Sequence, residues 1–341
     1  MNDDAVELRS RELKMEGIHV TTIAELLATN FGEDSWLVEK LIPEQSITAI
    51  AGIPGSFKTW ITLEIARSVA SGKPFLGNFA TTQGPVLLVD KECHYKHIQK
   101  RLKLLGMEKT LPICYHNPYE LDLFVDDDKH FELLLREIEH LGARVVIFDS
   151  LTRIHRGDEN ESKSIAKLMN RFKRITDIGV SVIFVHHHRK ESYPSQNSPN
   201  SLRGSSDILA GIDCLLTLVK EKGRDDRIIV EQGKLRQGEA VKPFAINALF
   251  EKDGDITRSV SFSYGGEHDP SKTKSDEATG IILEFLEQKG DETEGSVIVK
   301  VLEEENYSKG TTIRALKQLE EEDKIGKRNG DNGRHIYWLK K

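Results

Sequence analysis

Residues 52–59, Gly52-Ile53-Pro54-Gly55-Ser56-Phe57-Lys58-Thr59, place two glycines, a lysine and a hydroxyl at the spacing of a phosphate-binding loop. Gly52 and Gly55 let the backbone turn so that its N–H groups converge on phosphate oxygens. Lys58 offers a point charge for the β- and γ-phosphates of ATP, and the Thr59 hydroxyl can take a magnesium coordination position. The nucleotide-binding set is therefore Gly52, Ile53, Pro54, Gly55, Ser56, Phe57, Lys58, Thr59 and Trp60. One residue departs from the pattern: Phe57 stands where a second glycine is usual. A side chain fits there only with negative φ or with tolerated strain.

Two further stretches supply carboxylates. In ARVVIFDS (143–150) an apolar run ends in Asp149, with Ser150 beside it. Ligands collect at the C-terminal ends of strands in an open α/β sheet, so Asp149 is the second candidate magnesium ligand after Thr59. In GPVLLVDKE (84–92) another apolar run ends in Asp90 and Glu92. Hydrolysis of a nucleoside triphosphate needs a carboxylate that orients or deprotonates the attacking water, and Glu92 is the candidate.

These residues need a scaffold, and the hydrophobic pattern predicts one. Strands are expected at Ser46–Ala51, Val86–Asp90, Ile113–His116, Val145–Asp149, Val180–His186 and Cys214–Val219. Helices are expected at Thr59–Ser71, Tyr95–Leu105, Lys129–Leu141 and Lys163–Asp177. The alternation implies an α/β fold with a mostly parallel sheet. Arg227–Gln232, the turn-rich GKLRQGEAVKP and Ser259–Tyr264 add an antiparallel edge. The first residues offer one helix, at Thr22–Thr29. A polar stretch, 265–280, lacks periodicity and reads as a linker. Helices at Ile281–Gln288, Ser296–Glu305 and Lys309–Asp323 follow, the last capped by Ser308, and then a hairpin of Lys324–Arg328 and Arg334–Leu339. Three helices and a hairpin are the plan of a winged helix. The expected division is an N-terminal extension (1–34), an ATPase domain (35–264), a linker (265–275) and a winged-helix domain (276–341).

Composition narrows the setting. The 341 residues carry a net charge of −7, which confines any nucleic-acid contact to particular loops. No apolar run is long enough to span a membrane, and the charged start, MNDDAVELRSRELKMEG, is unlike a signal peptide. Three scattered cysteines, Cys93, Cys114 and Cys214, match no zinc spacing and suit a reducing cytoplasm. In the C-terminal unit, Arg314 on the third helix and Lys327, Arg328 and Arg334 on the wing are candidate contacts to duplex DNA. Residues 272–341 nevertheless hold 13 Lys/Arg against 15 Asp/Glu, so docking of a protein partner stays open.

The order of these motifs, with a strand ending in VHHHRK, then LRGSSDILAGIDCLLTL and a late GKLRQG, resembles the RecA/DnaB superfamily of ATPases. The resemblance is strongest to the RepA-like hexameric helicases of plasmids and phages, where Gly-Ser-Phe-Lys-[Ser/Thr] is a familiar loop variant. It covers about residues 35–245 and leaves the C-terminal unit outside. It implies a RecA-like core, ATP and magnesium as cofactors, a homo-oligomer, hexameric in the RepA-like branch, and movement along single-stranded DNA. It also implies that His186 or His187 senses the γ-phosphate. In the same way Arg189, Lys190 and Arg203 face the DNA channel, and Lys234 and Arg236 reach a neighbouring subunit's ATP. A metal site in the histidine triplet is the weaker reading, because adjacent strand residues diverge. The alternative function is an ATP-switched regulator or assembly factor that unwinds nothing.

Overall fold

A computed structural model describes residues 21–30, 32–187, 206–221, 223–269, 274–305, 307–330 and 334–340. The chain divides into two compact units, Met1–Ser35 and Trp36–Lys341. In the first, helix α1 (Ile23–Ala28) is fixed by a capping box: Thr22 accepts from the Glu25 N–H while the Glu25 side chain accepts from the Thr22 N–H.

The second unit is built on a nine-stranded sheet. A short hairpin, β1 (Trp36–Val38) with β2 (Ile42–Pro43), leads into β3 (Ile47–Gly52) and helix α2 (Lys58–Ser71). Then come β4 (Val86–Asp90), α3 (Tyr95–Leu104), β5 (Ile113–Tyr115), α4 (Asp128–Leu141), β6 (Val145–Asp149), α5 (Ser162–Asp177) and β7 (Ser181–His187). Helix α6 (Ser206–Gly211) and strands β8 (Cys214–Lys220), β9 (Arg227–Leu235), β10 (Phe244–Asp253) and β11 (Ile256–Glu267) complete it. The spatial order is β11-β10-β9-β8-β3-β7-β6-β4-β5. From β5 to β8 the neighbours run parallel, and from β8 to β11 they run antiparallel.

The central strands are buried on both faces, which is why they read as continuous apolar runs. One face, including Ile50, Ile147 and Ile183, packs under α2 and the antiparallel strands. The other, including Val146, Phe148 and Phe184, packs under α4 and α5. Phe172 of α5 stacks between Phe148 and Phe184, with ring centroids 5.2 and 5.6 Å away. Asp127 caps α4 by accepting from the Lys129 and His130 N–H groups, and Gly142 ends it in the left-handed conformation.

Beyond β11 the helix α7 (Lys274–Lys289) begins within the polar stretch expected to be linker, seven residues ahead of the apolar periodicity. It is followed by β12 (Thr293–Glu294), α8 (Gly295–Glu304), α9 (Lys309–Glu321), β13 (Ile325–Asn329) and β14 (His335–Leu339). The strands form a separate sheet in the order β12-β14-β13, and Ser308 caps α9 by accepting from the Thr311 N–H. Their own core includes Ile282, Leu302, Leu316, Leu319 and Tyr337. Among the described residues no helix is long and apolar enough to cross a membrane.

Phe172 is fully buried, so its ring is the strongest test of the α5 face. Replacing it with alanine is expected to cost about 3–5 kcal/mol in a urea titration, and with leucine about 1–2 kcal/mol. A loss below about 1 kcal/mol for the alanine variant would contradict the packing described.

Candidate nucleotide site

Gly52 and His187 lie side by side at the ends of β3 and β7, and Asp90 and Asp149 at the ends of β4 and β6. All four are at C-terminal strand ends, where the crossover helices leave a crevice. At Gly52 any side chain would collide: a Cβ would sit 2.4 Å from Ser56 Oγ and 2.5 Å from the Leu218 carbonyl. Gly55 turns the chain with a φ of 81°.

Phe57 resolves its departure by accepting strain. It holds φ 65° and ψ 14°, the left-handed region, immediately before α2. That conformation costs a residue with a Cβ roughly 1–2 kcal/mol. The ring is held from the far end of the sheet. Phe250 of β10 lies 5.9 Å and Phe262 of β11 lies 6.4 Å from it between centroids, and Lys220 Nζ stands 5.0 Å above it. Trp60, one turn on, packs against the same two rings at 6.5 and 6.4 Å. Each such aromatic pair contributes about 0.5–1.5 kcal/mol beyond burial.

Lys58 is buried, and its Nζ donates to the carbonyls of Gly52 and Ile53, each at 2.9 Å. Burial pulls its pKa below the usual lysine value, while Asp149 and Glu92 push back. Thr59 Oγ1 donates to Asp149 Oδ2 at 2.7 Å. Burial, followed by the charge of Asp90, pushes the Asp149 carboxyl up to about 7. Its second oxygen, Oδ1, is buried with no hydrogen-bond partner, as is Ser56 Oγ. A hydroxyl beside a carboxylate with an unmatched oxygen is a donor set that fits magnesium, a hard cation that prefers oxygen ligands. Among the described residues no group of three or more His, Cys, Asp or Glu side chains is placed to hold a metal.

Glu92 faces this crevice from the turn after β4. His187 Nε2 stands 3.8 Å from Glu92 Oε2, longer than a hydrogen bond but within ion-pair range. His187 is the leading influence that holds the Glu92 carboxyl down to about 2, opposed by burial and aided by Ser150 and Lys58. So weak a base orients a water better than it takes its proton. A cavity of about 280 Å³ is lined by the loop from Pro54 to Trp60 together with Glu92, Asp149 and His187. His186, paired with Ala51, is fully buried and does not line it. A second cavity of about 310 Å³ shares Glu92 and His187 and extends to Arg153 and Glu159.

Arg101 of α3 is a lining residue that no sequence motif marked. Its guanidinium lies 5.6 Å over the Trp60 ring, and Nη1 is 3.1 Å from Cys93 Sγ. The remaining expected residues fall elsewhere. Lys234 Nζ donates to the Leu209 and Ile212 carbonyls at 2.6 and 2.7 Å. Arg236 Nη2 donates to the Ala210 carbonyl at 2.7 Å, and Nη1 lies 3.1 Å from Asp213. Both cations thus grip the C-terminal end of α6, where the helix dipole is negative. Neither lines the phosphate-loop cavity. Arg189, Lys190 and Arg203 lie outside the described residues, as does His188. On the C-terminal unit, Lys327 pairs with Glu320, Arg328 with Glu292 and Arg334 with Glu294. Arg314 makes a long 3.5 Å contact to Thr311 Oγ1.

A mostly parallel sheet, a phosphate loop on its central strand and an acidic strand end facing that loop define a P-loop ATPase domain of RecA-like fold. The chain belongs to the AAA_25 family, an AAA domain, whose model matches residues 10–193 of 341. Among solved structures it is similar to a DnaB-like replicative helicase studied with primase. That match has a TM-score of 0.51 and 14% identity over 71% of this chain and 69% of the other. The flagellar accessory protein FlaH from Methanocaldococcus jannaschii matches with a TM-score of 0.44 and 17% identity, over 65% and 91%. A separately solved ATPase domain matches with a TM-score of 0.49 and 15% identity, over 72% and 94%. The likeness to the DnaB-like helicase is one of fold.

The strain at Phe57 gives an ordered expectation. Phe57→Gly relieves the backbone but loses the aromatic contacts, for a net loss of about 1–2 kcal/mol. Phe57→Ala loses the ring and keeps the strained φ, so it should fall about 1 kcal/mol below the glycine variant. Denaturant midpoints of the nucleotide-free proteins decide it, and an alanine variant as stable as the glycine one would refute the left-handed assignment.

Proposed function

We propose that the protein is a ring-forming, ATP-hydrolysing motor that translocates on single-stranded DNA, of the kind that serves plasmid- or phage-type replication. One observation supports this above the others. The phosphate-loop lysine, a hydroxyl–carboxylate pair and a glutamate held by a histidine converge on one cavity. ATP would lay its phosphates against residues 52–60, where Lys58 can exchange the loop carbonyls for phosphate oxygens. Thr59 and Asp149 would hold magnesium, which when bound neutralises charge on the β- and γ-phosphate oxygens. Glu92 orients the water. His187 is better placed than His186 to register the γ-phosphate, because it pairs with Glu92 across the cavity.

The remaining parts of the reading extend from this site. Arg189 and Lys190 follow His187 almost directly in sequence, and with Arg203 they would contact DNA phosphates in a central channel. Lys234 and Arg236 would act on the ATP of a neighbouring subunit, which makes turnover depend on the ring. We take residues 35–264 as the motor domain, 265–275 as a linker, 276–341 as a winged helix, and the cytoplasm as the setting.

A second reading has its own support in the C-terminal unit. The basic residues of its hairpin each face a carboxylate of the same unit, and Arg328 and Arg334 hold Glu292 and Glu294 below their usual carboxylate range. Such a surface suits a protein partner better than a duplex, and with it an ATP-switched regulator or assembly factor.

ATP turnover measured with and without single-stranded DNA, beside strand displacement on a forked duplex, separates the two. For the motor, DNA should stimulate turnover, and Lys58→Ala should cost at least about 100-fold in kcat. Arg236→Ala should lower turnover while nucleotide binding persists. Turnover indifferent to DNA, with no strand displaced, would remove the motor reading and leave the switch.

A further inference from the structure

Glu92 can act only if its turn is held, and the structure shows what holds it. Asp90 ends β4 and is 5% exposed. Its Oδ1 accepts from the Glu92 N–H at 2.8 Å and the Cys93 N–H at 2.9 Å. Two consecutive amides thus close on one carboxylate oxygen, and the chain doubles back directly beneath Glu92. The strand end is fixed as well. The Lys91 N–H donates to the Asp149 carbonyl at 2.8 Å, and Tyr115 Oη donates to the Asp90 carbonyl at 3.3 Å. The Lys91 side chain is drawn the other way, to the Leu123 carbonyl at 2.8 Å and to Asp122 at 2.6 Å, with Nζ 3.6 Å over the Phe124 ring. Glu92 is left as the residue of this turn whose side chain meets His187 over the cavity.

We infer that Asp90 is a positioning residue for hydrolysis, whose side chain builds the turn that aims Glu92 at the attacking water. The inference rests on the reading of Glu92 given above. What the turn needs from Asp90 is an acceptor oxygen at Oδ1, and asparagine has that oxygen in the same place. Alanine leaves both amides without a partner and lets Glu92 drift, and misplacement by about 1 Å is enough to cost about 100-fold in rate. Nucleotide is held by residues 52–60, which Asp90 does not hydrogen-bond, so binding should be spared.

The test uses the full chain, with steady-state and single-turnover ATP hydrolysis and a fluorescent-nucleotide titration. Asp90→Ala should lower kcat about 10- to 100-fold, with KM and nucleotide affinity within about twofold of wild type. Asp90→Asn should restore kcat to within about threefold. In a Glu92→Gln background, Asp90→Ala should cause no further loss, because a residue acting through Glu92 has nothing left to position. If Asp90→Ala does not fold, Asp90→Ser keeps one shorter acceptor and should fall between wild type and Glu92→Gln. Unchanged turnover in Asp90→Ala, an asparagine variant as impaired as alanine, or an additive loss in the double variant would each overturn the inference. Absence of ATP turnover in the wild type, or full turnover in Glu92→Gln, would instead overturn the hydrolysis reading beneath it.

Discussion

The hydrogen bond from Thr59 to Asp149 ties the phosphate loop to the strand that carries its acidic partner. Strands β3 and β6 are not neighbours, since β7 lies between them. The bond closes because α2 starts directly after the loop, at Lys58, which puts Thr59 in its first turn. That entry in turn needs Phe57 in the left-handed region, since the turn into the helix is made at its Cα. The Phe57 conformation is held by Phe250 and Phe262, so the antiparallel strands at one end of the sheet help set the geometry at its centre. A strained backbone is retained where surrounding packing over-determines it.

Charge is managed in opposite ways in two parts of the second unit. In the crevice, Ser56 Oγ, Asp90 Oδ2, Asp149 Oδ1 and His187 Nδ1 are buried with no hydrogen-bond partner. Buried polar atoms are usually satisfied, and a group of exceptions at strand C-termini is what a site for phosphates and a cation requires. The raised Asp149 and the lowered Glu92 follow from the same arrangement. Asp149 lies deeper and beside another carboxylate, while Glu92 is closer to the surface with His187 and Lys58 beside it. Two acids on the cavity of one phosphate loop are thereby given different tasks.

The parallel part of the sheet was legible because its central strands are buried on both faces. Val86–Asp90 and Val145–Asp149 match expectation residue for residue, and the other parallel strands shift by one position at an end, whereas β9 runs three residues past Gln232 and β11 three residues beyond each expected end. The acidic ends of those strands were legible for the same reason, since a carboxylate closing an apolar run stands out. Strand β10 was not, because Asn247, Glu251 and Lys252 break its pattern on the solvent side. The start of α7 was hidden too, since Lys274-Ser275-Asp276-Glu277 carries no apolar periodicity to announce a helix. Within the site, Lys58 and Thr59 follow from the spacing of the loop, and Asp149 from its place at the end of an apolar run. The partners of Phe57 do not, since nearly two hundred residues separate it from Phe250 and only the folded sheet joins them. Arg101 was missed because one arginine among the basic residues of an amphipathic helix has no local mark.

The C-terminal unit poses a question of competition. Its hairpin cations are paired, but the pairs are surface pairs, individually weak and further weakened by salt. Pairing of that strength orients side chains without committing them. A duplex approaching this face would exchange each carboxylate for a phosphate, and would meet the displaced Glu292, Glu294 and Glu320 as like charges at the same contact. A protein surface with its own alternating charges would meet no such repulsion, because it can answer both members of every pair. The acidic partners therefore shape the electrostatic character of this face as much as the basic residues they hold.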